Sequence, residues 1–148
     1  MLKVGVVGCG HLGKIHAKLL SQSENYKLIG IYDKDNEESI RVSNEFKCKS
    51  FESFDSLLDS VDVIDIVAPT PFHFNYAKQA INKNKHVFIE KPVCTTSKES
   101  EELIKLGDLR KVKIQVGHVE RFNPAFTKVE SEISKPMFIE SHRLAKFN

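Results

Sequence analysis

Three short runs hold the residue types that could do chemistry. The first is Glu90-Lys91-Pro92, where an ammonium follows a carboxylate and a proline locks the next turn. A lysine so placed can orient a hydroxyl, stabilise alkoxide charge or relay a proton; it can equally form a surface salt bridge with Glu90. The second is Gly117-His118-Val119-Glu120-Arg121-Phe122-Asn123-Pro124. It pairs an imidazole, the side chain suited to proton exchange near neutrality, with a guanidinium able to clamp an anionic group such as a phosphate. Either could instead stabilise its own loop. The third, Ala68-Pro69-Thr70-Pro71-Phe72-His73, is a loop stiffened by prolines. Its His73 either faces a ligand or starts a helix with a local hydrogen bond.

A common scaffold must bring these runs together, and residues 1–20 point to it. Lys3-Val4-Gly5-Val6-Val7 is a short β-branched run, the pattern of a strand buried on both faces. Gly8-Cys9-Gly10-His11-Leu12-Gly13 follows, then Leu12, Ile15, His16, Leu19 and Leu20 at helical spacing. Gly8 permits the tight turn, Gly10 lets a pyrophosphate approach the backbone, and Gly13 lets the helix pack closely. The helix start offers unpaired N–H groups and a positive dipole end to phosphates. Asp33 lies 33 − 13 = 20 residues beyond the last glycine, at the end of the apolar run Tyr26–Tyr32. Strand, glycine loop, helix and acid together are the dinucleotide-binding fingerprint. A carboxylate there accepts hydrogen bonds from ribose hydroxyls and repels a 2′-phosphate, which favours NAD over NADP. Lys34 could partly offset that repulsion or be a solvated loop lysine. His11 and Leu12 are also assigned to the cofactor, and Ala68, Pro69, Thr70 and His73 can lie beside the nicotinamide ribose.

Apolar and polar periodicities alternate along the rest of the chain. Strands are expected at Cys48–Phe51, Val61–Ala68, His86–Glu90 and Val112–Val116. Helices are expected from Asn36 to Phe46, after Ser53, from Phe74 to Ile81, and after Thr96, whose capping box uses Glu99 and whose end is set at Gly107. A last helix, capped by Asn123 with Pro124 at its first position, runs to about Ile133. Asp62 and Asp65 are placed at a strand entrance or against loop polar groups, and neither is assigned to catalysis. This alternation predicts an α/β, doubly wound parallel sheet of the Rossmann type with strand order 3-2-1-4-5-6. Ligand then binds at the carboxyl ends, where strands 1 and 4 diverge.

Composition excludes several alternatives. The 148 residues are 41% hydrophobic and 28% charged, with a formal net charge of +2. No basic stripe with interleaved aromatics marks a nucleic-acid partner. No apolar run approaches membrane-spanning length, and the first strand begins too near Met1 to leave room for a signal peptide. Cys9, Cys48 and Cys94 lack metal-type spacing, so no metal is expected. They read as free thiols in a reducing compartment, the cytoplasm.

The motifs, in this order and spacing, resemble the glucose–fructose oxidoreductase/inositol dehydrogenase (Gfo/Idh/MocA) family of NAD(P)-dependent enzymes. The resemblance runs from Leu2 to about Pro124, through the glycine loop, Asp33, Ala68-Pro69-Thr70-Pro71-x-His73, Glu90-Lys91-Pro92 and Arg121-Phe122-x-Pro124. Val116–Pro124 looks like the UDP-N-acetylglucosamine 3-dehydrogenase branch. The resemblance implies that Lys91 contacts substrate and the nicotinamide end, and that Lys91-Pro92 is a cis bond. It also implies hydride transfer between a secondary hydroxyl of a sugar or nucleotide-sugar and the cofactor. Lys91 and His118 then take the catalytic roles, Arg121 joins Lys91 on substrate, and Glu90 joins the cofactor site. Many members carry Asn where Val119 stands, so no nicotinamide contact is carried over to that position.

Family members continue into a second α/β domain that supplies much of the substrate pocket and usually a homo-oligomer interface. Residues 1–122 therefore read as the dinucleotide-binding domain. Residues 123–148 read as a linking helix and, from Pro136, the first strand of a second domain otherwise missing. The fragment is expected to bind dinucleotide and turn over poorly. A non-catalytic dinucleotide sensor is the alternative.

Overall fold

A computed structural model describes residues 1–130, 132–140, 142 and 144. Its strands are β1 (Leu2–Val7), β2 (Tyr26–Tyr32), β3 (Lys49–Ser50), β4 (Val63–Ile66), β5 (His86–Glu90) and β6 (Ile114–Gly117). They form one six-stranded sheet in the order β3-β2-β1-β4-β5-β6, with every pairing parallel. The helices are α1 (His11–Ser21), α2 (Asn36–Glu45), α3 (Phe54–Leu58), α4 (His73–Asn82), α5 (Ser97–Arg110) and α6 (Pro124–Glu130). Thr70–Phe72 and Val119–Phe122 are 3₁₀ turns. Among the described residues, no helix is long and apolar enough to cross a membrane.

Strand alternation sends neighbouring residues to opposite faces of the sheet, and two cores result. Val7, Ile64, Ile66, Val87 and Ile89 pack with Leu57 of α3, Ala77 and Ile81 of α4 and Leu103 of α5. Val6 and Ile31 pack on the other face with Ala17 of α1 and Val42 of α2. Each buried Ile or Leu contributes about 1.5–3 kcal/mol of transfer free energy. That term, rather than helix propensity, holds the layers together.

Helix packing refines one sequence expectation and corrects another. The inward face of α1 is Gly13 and Ala17, with His16 and Leu20 half-buried; Leu12, Ile15 and Leu19 are exposed. Small residues face the sheet because the helix lies so close that a Cβ on Gly13 would strike the Gly8 carbonyl. Gly107 does not end α5. It is buried inside the helix, where a side chain would meet Ile114 at 2.8 Å. Lys111, at φ 54°, takes the left-handed position that stops the helix. The expected caps are present: Ser53 accepts from Ser56 N–H at 3.2 Å, and Thr96 and Glu99 form a capping box.

The chain divides into two compact units, Met1–Gly117 and His118–Asn148. The turn Val119–Phe122, counted with the first domain in the sequence reading, groups with the second unit. Within that unit α6 ends at Glu130, short of Ile133. Asn123 Oδ1 accepts from Ala125 N–H at 3.0 Å at its start. Residues 136–140, expected to begin a strand, form none; a lone strand has no ladder to join. The remainder of that segment, residues 141, 143 and 145–148, lies outside the described residues except for His142 and Leu144.

Candidate functional site

Register lines up the carboxyl ends of the central strands. Val7 pairs with Tyr32 on one side and Ile66 on the other; Ile66 pairs with Ile89, and Glu90 with Gly117. The turns leaving β1, β2, β4 and β5 therefore share one rim, and β1 sits where the strand order reverses.

At this switch point the three loop glycines differ in what requires them. Gly8 has φ +103°, and a Cβ there would meet Ala68 N at 2.7 Å. Gly13 is required by the Gly8 carbonyl. A Cβ on Gly10 would meet nothing within 4 Å, and its φ of −63° suits any residue. The protein's own packing does not call for a glycine at position 10. Gly10 is also the N-cap of α1, which has no side-chain cap and no acid in its first turn. Of the other helices in this unit, α2, α3 and α5 are capped by Asp35, Ser53 and Thr96, while α4 also starts without a side-chain cap. The start of α1 thus keeps backbone donors and a positive dipole end for an anion, behind a backbone that a diphosphate can approach. His11 and Leu12, both exposed, open the helix at this point.

Asp33 is tied to the same loop. Its Oδ2 accepts from Cys9 N–H at 2.6 Å and its Oδ1 from Asp35 N–H at 2.9 Å, which aims the carboxylate and leaves lone pairs for a ribose. The first of these bonds joins the tip of β2 to the glycine loop, a contact that sequence reading did not foresee. Lys34 carries its ammonium 3.7 Å from the centre of the Phe72 ring, a cation–π contact rather than full solvation. Cys9 is buried, and burial with Asp33 and Glu38 nearby pushes its thiol up to about 12, so it is inert packing.

His73 is 1% exposed, and each ring nitrogen faces a backbone carbonyl: Nε2 to Ala68 O at 2.6 Å, Nδ1 to Pro92 O at 3.0 Å. It braces the loop of Ala68, Pro69 and Thr70 against the loop after β5. The Lys91-Pro92 bond is cis. Lys91 is exposed, and among the described residues its ammonium takes no ion-pair partner. The carboxylate of Glu90 is engaged elsewhere: Oε2 accepts from Lys91 N–H at 3.0 Å, and Oε1 lies 3.6 Å from His16 Nε2.

Asp65 departs from expectation. It is buried at 5% exposure, and its Oδ2 sits 2.9 Å from His16 Nδ1. Asp62 does stand at the entrance of β4, accepting from Lys3 N–H at 2.9 Å. A signal for Asp65 was available: a carboxylate in a run buried on both faces needs a partner, and His16 lies on the inner side of α1. The predicted pair His118 and Arg121 belongs to the second unit, where Arg121 N–H donates to His118 O at 3.1 Å. No group of His, Cys, Asp and Glu among the described residues could hold a metal ion.

With this geometry in place, residues 2–118 match the family described as "Oxidoreductase family, NAD-binding Rossmann fold". The chain belongs to this family. Over 147 residues it is 35% identical to UDP-N-acetylglucosamine 3-dehydrogenase of Acidithiobacillus ferrooxidans, covering 99% of this chain and 46% of that protein. A solved structure of that enzyme superposes with a TM-score of 0.85 at 34% identity, over 89% of this chain and 43% of that one. The scyllo-inositol dehydrogenase of Lactobacillus casei, with bound NAD(H) and scyllo-inositol, gives 0.83 at 29% identity, over 90% and 41%. The chain thus spans less than half the length of these relatives. It is an NAD-binding Rossmann domain.

Proposed function

We propose that this chain is the cofactor-binding part of a dehydrogenase that oxidises or reduces a secondary hydroxyl carbon of a sugar or nucleotide-sugar. The observation that carries this reading is the Gly10 position, which is glycine although no protein atom stands in the way of a side chain. A backbone kept bare at an uncapped helix start suits close approach by a diphosphate. The relatives' substrates, UDP-N-acetylglucosamine and scyllo-inositol, support the substrate class.

On this reading Gly8, Gly10, His11, Leu12 and Gly13 hold the diphosphate, and Asp33 accepts from the adenosine ribose. Lys34, occupied by Phe72, does little to offset the repulsion of a 2′-phosphate, so NAD is preferred over NADP. Ala68, Pro69, Thr70 and Glu90 border the nicotinamide side, with His73 bracing that border from beneath. NAD, when bound, supplies the hydride acceptor or donor. Lys91 donates a hydrogen bond to the carbinol oxygen and stabilises charge that develops there. His118 exchanges the hydroxyl proton, and Arg121 clamps an anionic substrate group. A homo-oligomeric whole protein in the cytoplasm completes the reading, in keeping with three free cysteines. Titration calorimetry of this chain with NAD and NADP tests it. Binding with a preference for NAD is expected; no heat with either coenzyme overturns it.

A further inference from the structure

Asp65 and His16 take no part in the roles just assigned, and they form a cluster with Glu90, which borders the nicotinamide side. Alternation along β4 and β5 puts Asp65, Phe88 and Glu90 on the sheet face opposite Ile64, Ile66 and Ile89. His16 of α1 meets that face: Nδ1 lies 2.9 Å from Asp65 Oδ2 and Nε2 lies 3.6 Å from Glu90 Oε1, with Phe88 edge-on to the ring at 5.9 Å. A carboxylate near each ring nitrogen suits the imidazolium, which hydrogen-bonds Asp65 and makes a longer ion pair with Glu90. Asp65 Oδ1 is buried with no hydrogen-bond partner among the described residues, so the hydrogen bonding of this carboxyl rests on Oδ2 and His16. Glu90 lies against Gly117, its Oε1 filling the space a side chain there would need. Its Oε2 grips the Lys91 amide at 3.0 Å.

We infer that Asp65, His16 and Glu90 form a positioning relay beneath Lys91, in which the imidazolium of His16 clamps the Glu90 carboxylate and Glu90 in turn holds the Lys91 backbone. The relay links α1, whose first turn faces the diphosphate, to the residue that faces the reacting oxygen. The value of a fixed Lys91 rests on the dehydrogenase reading; the linkage itself does not. The charged groups acting on His16, among the described residues, are Asp65 from β4 and Glu90 from β5. The hydrogen bond to Asp65 holds the His16 imidazole above its ordinary value against an opposing effect of burial.

The test is NMR titration of this 148-residue chain, following the His16 ring nitrogens and the Lys91 amide. In the unaltered protein the Lys91 amide is expected to shift in step with His16, at a pH above the ordinary imidazole value of about 6.5. In Glu90→Gln, His16 still titrates but the Lys91 amide no longer follows it. In Asp65→Asn, both events move together to lower pH. A Lys91 amide indifferent to His16 in the unaltered protein overturns the relay, as does one that still follows His16 in Glu90→Gln. Neither readout needs a coenzyme. Absent calorimetric heat with coupled titration would remove the dehydrogenase reading alone; heat without coupling would remove the relay alone.

Discussion

The two ends of the rim are built by different means. At the β1–β2 end, backbone does the work: amides at an uncapped helix start, a bare Gly10, and Asp33 held by the N–H groups of Cys9 and Asp35. At the β4–β5 end, side chains do it: Asp65, His16 and Glu90 in one chain of contacts, and His73 spanning the carbonyls of Ala68 and Pro92. Backbone donors cannot titrate and need no partner at long range, whereas the side-chain network depends on charge and on groups from three elements. The first end should therefore respond to bulk, the second to charge.

The largest expected effect comes from breaking the charged end. His16→Leu leaves Asp65 buried without its counter-charge and should destabilise the fold by about 3–5 kcal/mol in urea denaturation. Replacing Asp65 by Leu as well should recover most of that loss. A near-neutral single variant would break the contrast between the two ends. Gly10→Val should weaken NAD binding on the order of 100-fold in calorimetry, equivalent to about 2.7 kcal/mol, with an unchanged melting temperature. Asp33→Ser should cost NAD about tenfold and narrow its advantage over NADP.

The pH response sharpens the comparison. Burial raises the Asp65 carboxyl and the hydrogen bond with Asp65 raises the His16 imidazole, so the folded pair keeps its proton to higher pH than the unfolded chain does. For His16 that contribution is fully present below about pH 6.5 and lost as pH rises through the folded value; for Asp65 it is fully present only below about pH 3.9 and is lost as pH rises from there. Denaturation midpoints should fall as pH rises above about 6.5, and His16→Gln should flatten that fall. The smallest effect belongs to Lys91→Met. With no ion pair to lose among the described residues, it should change stability by no more than about 0.5 kcal/mol.

Much of this was legible along the chain. The strand order, the capping box at Thr96 and Glu99, the roles of Gly8 and Gly13 and the distance to Asp33 all follow from patterns within one or two turns or one βαβ unit. What the pattern left open shares a cause with what it misread. Leu12, Ile15 and Leu19 look like an inward stripe by periodicity, yet the helix turns its smallest residues to the sheet because close approach outweighs bulk. Gly107 looks like a helix stop, yet it makes room for Ile114. Both answers depend on what stands opposite.

What the sequence alone determined is the doubly wound sheet and the NAD-binding class of the domain, because hydrophobic period, turn chemistry and glycine sterics act between near neighbours. The tertiary structure decided which ionisable groups meet. His16 and Asp65 are 49 residues apart in the chain, and nothing in either neighbourhood names the other. Only the crossing of α1 over β4 and β5 brings an imidazole between two carboxylates, where burial makes each of their charges depend on the rest.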